Sequence, residues 1–131
     1  KYHQTQEDIY LPVAHCIEGK TGHAMNKDVK EVFDQYDNKG ITKEIKKLTF
    51  GANPNDWVKV IEELKKQDDF SKEIEFLGFC TDICVISNAM IVKAAFPEIK
   101  ISADSKCMAG VTVEKHNAAI EVMKSCQINI L

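Results

Sequence analysis

Arginine is missing from this chain: all 17 basic residues are lysine. No planar guanidinium fork is available to grip a phosphate or a carboxylate through two parallel hydrogen bonds. Together with a net charge of −3, this argues against nucleic acid and against an anionic substrate, although backbone amides and lysines also bind anions. Long apolar runs are missing as well. No stretch reaches the ~18 residues of a membrane span and no signal peptide precedes the first polar residues, so no membrane partner is expected. A disulfide framework is also lacking. The five cysteines, Cys16, Cys80, Cys84, Cys107 and Cys126, are odd in number and only two of them are close in sequence; a reducing cytoplasm is the expected setting. The sequence begins in polar residues without Met, and the expectation is of a longer protein whose N-terminal segment is not included.

What is present suffices for one domain spanning residues 1–131, since 44% of the residues are apolar. The stretch that organises it is Gly78-Phe79-Cys80-Thr81-Asp82-Ile83-Cys84-Val85-Ile86-Ser87. Ile74 to Leu77 before it reads as a strand. Asn88 to Phe96 after it is almost wholly apolar and ends at Pro97, as a buried helix would. Thr81 or Asp82 is expected to cap that helix, placing Cys84 in its first turn, where unpaired N–H groups favour an anion such as a thiolate. Cys84 is therefore a candidate nucleophile. Its bland alternative is a buried structural cysteine.

Residues 1–26 show no helical or strand period and read as a long loop that carries His3, His15 and His23. On residue type alone, all three are surface or hydrogen-bonding histidines. Val29, Val32, Phe33 and Tyr36 form the stripe of an amphipathic helix, and Trp57, Val60, Ile61 and Leu64 form another opened by Pro54. Residues 41–49 are read as a strand, with Lys46 and Lys47 on opposite faces. A polar connection follows from Gln67 to Lys72. Ile99 to Ala103 is a further strand, succeeded by a loop with Asp104, Cys107 and Gly110. Thr112 caps a helix bearing His116, read as a partly buried helix residue, and Ile128 to Leu131 closes the chain as a fourth strand. Strands alternating with helices imply a parallel sheet covered on both faces.

The run Gly-Phe-Cys-Thr-Asp-Ile-Cys-Val resembles the nucleophile motif of the isochorismatase-like cysteine hydrolases, the superfamily that holds the nicotinamidases. Residues 11–17, Lys47-Leu48-Thr49-Phe50-Gly51 and Ala109-Gly110-Val111-Thr112 resemble further blocks of that family in its own order. The resemblance implies a Rossmann-like three-layer α/β/α fold with a mostly parallel sheet, here without its first strand. It also implies a cysteine-dependent amidohydrolase that cleaves a small uncharged amide, nicotinamide foremost, through a thioester. By resemblance Cys84 is the nucleophile, Lys47 the catalytic lysine, and the backbone N–H groups of Cys80 and Cys84 the oxyanion hole, with a cis Phe79–Cys80 peptide. The family's catalytic aspartate has no counterpart here, and Asp28, Asp34 and Asp37 sit on or beside a predicted surface helix. His15 matches a ligand of a divalent metal (zinc, iron or manganese), but the Asp-x-His that supplies further ligands in relatives is not found. Phe50 and Phe79 are candidates to stack on a substrate ring. Relatives are commonly homo-oligomers. The alternatives are an isochorismatase-type hydrolase, which Cys84 disfavours, and a non-catalytic oligomeric binding subunit.

Overall fold

The computed structural model describes residues 5–11, 13–66 and 72–131. The readings of His3, of Pro12 and of the connection from Gln67 to Ser71 fall outside them. The chain divides into two compact units, residues 1–43 and 44–131.

In the first unit the expected loop contains a short helix α1 (Gln6–Tyr10), capped by the Thr5 side chain, and a single 3-10 turn at Thr21–His23. Five-residue helices have too few apolar repeats to leave a periodic signature, which is why the sequence read as loop. Helix α2 (Lys27–Asp37) forms where its stripe predicts, with Asn26 accepting from the Asp28 amide as N-cap. None of the described residues of this unit is buried.

The second unit contains the core. Helix α3 (Pro54–Leu64) starts with proline after an Asn53 cap. Strand β1 (Glu73–Phe79) runs into a π turn (Thr81–Val85) that continues as helix α4 (Ile86–Ala95). Strand β2 (Lys100–Ala109), helix α5 (Val113–Ser125), capped by Thr112, and strand β3 (Asn129–Ile130) complete it. The described strands form one parallel sheet in the order β1-β2-β3.

Two readings need correction. Residues 41–49 form no strand. A strand exists only with a ladder partner, and this lysine-rich segment has none among the described residues. The sheet therefore has three described strands rather than four. The second concerns Asp104 and Cys107, which lie within β2 rather than in a loop after it. The loop reading had a physical basis, because the register jumps there: Phe76 pairs with Ala103 but Gly78 with Met108. Residues 104–107 thus arch out of the ladder. Asp104 accepts from the Lys106 amide within that arch, and this hydrogen bond holds its carboxyl below the ordinary range.

Ile61, Phe76, Val92, Ile101, Ala103, Ile120 and Met123 pack between helices and sheet. Full burial of each larger member stabilises by about 1.5–3 kcal/mol. Trp57 stands edge-on to Phe76, with ring centroids 5.9 Å apart. This core fixes the carboxyl end of β1, where Cys84 emerges.

Candidate active site

The turn after β1 is held from outside rather than by its own caps. Thr81, fully buried, shares a 2.8 Å hydrogen bond between its Oγ1 and Nδ1 of His116 on α5. Asp82 Oδ1 accepts from the Val111 amide at 2.9 Å. Neither side chain caps the helix as expected. Both face partners about thirty residues downstream, which local reading could not supply. Gly110 makes the approach possible: a Cβ there would lie 2.9 Å from Asp82 Oδ1 and from the His116 backbone nitrogen.

Within the turn the Cys80 carbonyl accepts from the amides of Ile83 and Val85, both at 3.1 Å, and passes over that of Cys84. This follows from the wider π spacing, a deviation frequent at functional sites. The Phe79–Cys80 peptide is cis. Cys80 is half-buried, and burial first, then the charges of Asp82 and Cys84, push its thiol above the usual range.

Cys84 is also half-buried, and its Sγ lies 3.5 Å from Nζ of Lys47. The same ammonium donates to the Thr49 carbonyl at 3.1 Å. A cation is thus brought to the thiol by a segment 37 residues earlier in the chain. Phe50 follows on that segment, 43% exposed, and Phe79 ends β1, 79% exposed.

A residue that sequence reading passed over joins these parts. Asn88, a polar residue at the head of the apolar run of α4, is buried and bonded to Ala52, Trp57, Phe50 and Cys84. The available signal was an amide at the head of an apolar helix, since a buried polar group must find partners.

His15, in the first unit, is engaged at both ring nitrogens: Nδ1 with the Val13 carbonyl at 2.7 Å and Nε2 with Glu7 at 3.0 Å. Among the described residues no group of three or more His, Cys, Asp or Glu side chains could hold a metal ion. The described surroundings of His15 therefore do not fit the implied metal, and no step below is routed through one.

The family model of the isochorismatase domain matches residues 1–131. The chain belongs to the isochorismatase family. Among solved structures, this family member is similar to the nicotinamidase/pyrazinamidase of Bacillus subtilis, at 19% identity and a TM-score of 0.77, over 97% of this chain and 67% of that one. The pyrazinamidase/nicotinamidase of Streptococcus mutans gives 19% and 0.76, over 95% and 66%. The pyrazinamidase of Pyrococcus horikoshii, solved in complex with zinc, gives 17% and 0.61, over 90% and 61%. The chain thus spans 61–67% of the length of these structures. No curated protein sequence matches it significantly. The expected family and α/β fold with a parallel sheet are borne out, and membership supports a hydrolase. No helix among the described residues is long and apolar enough to cross a membrane.

Proposed function

We propose that this isochorismatase-family chain is the reacting part of a cysteine-dependent amidohydrolase acting on a small uncharged amide, with nicotinamide as the foremost substrate. The observation that carries the reading is the 3.5 Å approach of Lys47 Nζ to Cys84 Sγ at the carboxyl end of β1. A thiolate is the attacking form of cysteine, and the ammonium stands where it can pair with that form.

In the proposed reaction Cys84 Sγ adds to the amide carbon and the carbonyl oxygen takes up the negative charge. The amides of Cys80 and Cys84 are the donors assigned to that oxyanion. The Cys84 amide is the one that the Cys80 carbonyl passes over. Collapse of the tetrahedral adduct breaks the C–N bond, and the nitrogen leaves as ammonia after gaining a proton. Water then adds to the thioester, releasing the carboxylic acid and returning the sulfur. Asp28, Asp34 and Asp37 lie on α2 with exposed side chains, and Asp34 pairs with Lys30, so none is assigned the proton transfer. Phe50 and Phe79, with much of each ring in solvent, are assigned to stacking on an aromatic amide.

The test is ammonia release from nicotinamide by the intact protein beside its Cys84→Ala variant. Loss of activity in the variant supports nucleophile and substrate together. Undiminished release by Cys84→Ala would remove the cysteine mechanism. If neither releases ammonia while Cys84 is still alkylated selectively at neutral pH, the substrate is another amide.

A further inference from the structure

Asn88 lies near the start of α4 with 8% of its surface exposed, and its amide is fully used. Oδ1 accepts from the Ala52 amide and from Trp57 Nε1, each at 2.9 Å. Nδ2 donates to the Phe50 carbonyl at 3.2 Å and to the Cys84 carbonyl at 2.7 Å. Two donors face the oxygen and two acceptors face the nitrogen, so a single orientation of the amide satisfies the site. Phe50 and Ala52 belong to the loop that carries Lys47, Trp57 to the helix that continues it. The fourth partner is the peptide of Cys84 itself. One side chain therefore spans from the backbone of the sulfur to the backbone of the cation's loop.

Among the described residues, 44–53 join no ladder, and Lys47 Nζ donates within its own segment to Thr49. At Gly51 the loop comes close to α4, where a Cβ would lie 2.5 Å from Ile91 Cδ1. This contact is apolar and sets closeness without setting register along the helix. Three directional bonds from Asn88, to Phe50, Ala52 and Trp57, set both.

We infer that Asn88 is a positioning residue that fixes the separation of Lys47 and Cys84, and through it the reactivity of the sulfur. The inference rests on the role given above to that pair. Lys47 is exposed, so solvent screens its attraction for a thiolate, and the effect depends on close approach. A loop displaced by a few ångström takes the ammonium out of reach of the sulfur.

The test measures iodoacetamide alkylation of the Cys84 peptide by mass spectrometry, because Cys16, Cys107 and Cys126 are exposed and would obscure a bulk thiol assay. Intact wild-type protein is compared with Lys47→Met, Asn88→Ala and the double variant. At pH 7, Lys47→Met should react about threefold more slowly, as for a solvent-screened pair, and Asn88→Ala about twofold more slowly. The double variant should be no slower than Lys47→Met alone, and at pH 10, where a thiol ionises unaided, all four should react alike. Far-ultraviolet circular dichroism and a cooperative thermal transition report whether each variant is folded.

A folded Asn88→Ala that reacts like wild type while Lys47→Met is slow overturns the positioning role and leaves the pair's proposed chemistry standing. So does a double variant with additive losses. An unchanged rate in Lys47→Met removes the reading of the pair and the positioning role with it. If Asn88→Ala does not fold, Trp57→Phe takes its place, since it removes one of the four bonds. A slowing of up to about twofold that needs Lys47 then supports the inference, and no slowing overturns it.

Discussion

The sulfur and the cation of the proposed site are supported in opposite ways. The turn of Cys84 emerges from a strand, enters a helix and is gripped by α5 through Thr81 and by the β2–α5 connection through Asp82. The loop of Lys47 joins no described sheet, and it meets α4 through Asn88 and at Gly51. The sulfur is part of the core's architecture, whereas the cation is an attachment to it. Substitutions around the turn should therefore cost stability, and substitutions along the loop should cost reactivity while leaving the fold intact.

The largest effect is expected from Gly110→Ala. The added methyl would meet the His116 backbone nitrogen and Asp82 Oδ1, both at 2.9 Å, neither of which is the free end of a flexible side chain. A loss of about 1–3 kcal/mol in denaturant unfolding is expected from such overpacking, with a fall in amidase rate. Thr81→Val comes next. It conserves volume but leaves Nδ1 of His116 without its partner, at a cost of about 1–2 kcal/mol. Gly51→Ala should be milder, under about 1 kcal/mol, because the atom it meets is the terminal methyl of Ile91, which can rotate away. Lys47→Met should change stability by no more than about 0.5 kcal/mol, as an exposed substitution. If Lys47→Met proved as destabilising as Gly110→Ala, the distinction between turn and loop would be lost.

Acidity sharpens the same contrast. Burial and the neighbouring charges of Asp82 and Cys84 hold the Cys80 thiol above its usual 9.0. A raised value means that the contribution of neutral Cys80 is complete below pH 9 and is lost as pH climbs through the folded value. Cys80→Ser should remove that part of the alkaline decline in thermal midpoint, a small effect. In wild type at pH 7, alkylation should mark Cys84 well before Cys80; equal labelling of the two would break the contrast within the turn.

Much of the scaffold was legible because it rests on periodicity. The stripes of α2 and α3 and the apolar run of α4 each announce a face that must be buried, and Pro54 and Thr112 mark helix starts by local chemistry. The motif around Cys84 was legible by resemblance, as was Lys47. What escaped had partners distant in sequence. Thr81 and Asp82 looked like caps because capping is the local use of such side chains, yet His116 and Val111 claim them. Residues 41–49 looked like a strand because alternation alone does not reveal whether a neighbouring strand exists. Asn88 looked like the first residue of a buried helix, and three of its four bonds go to Phe50, Ala52 and Trp57, more than thirty residues earlier.

The bond from Val111 to Asp82 also bears on how such a chain can diverge. It measures the connection between β2 and α5 against the turn of Cys84, so an insertion among residues 109–112 would pull directly on the sulfur's backbone. Changes of length are therefore disfavoured there, whereas the Leu48 side chain beside Lys47, 97% exposed, is open to changes of residue type. Divergence in substrate preference should then accumulate beside the cation, with the frame around the sulfur left alone.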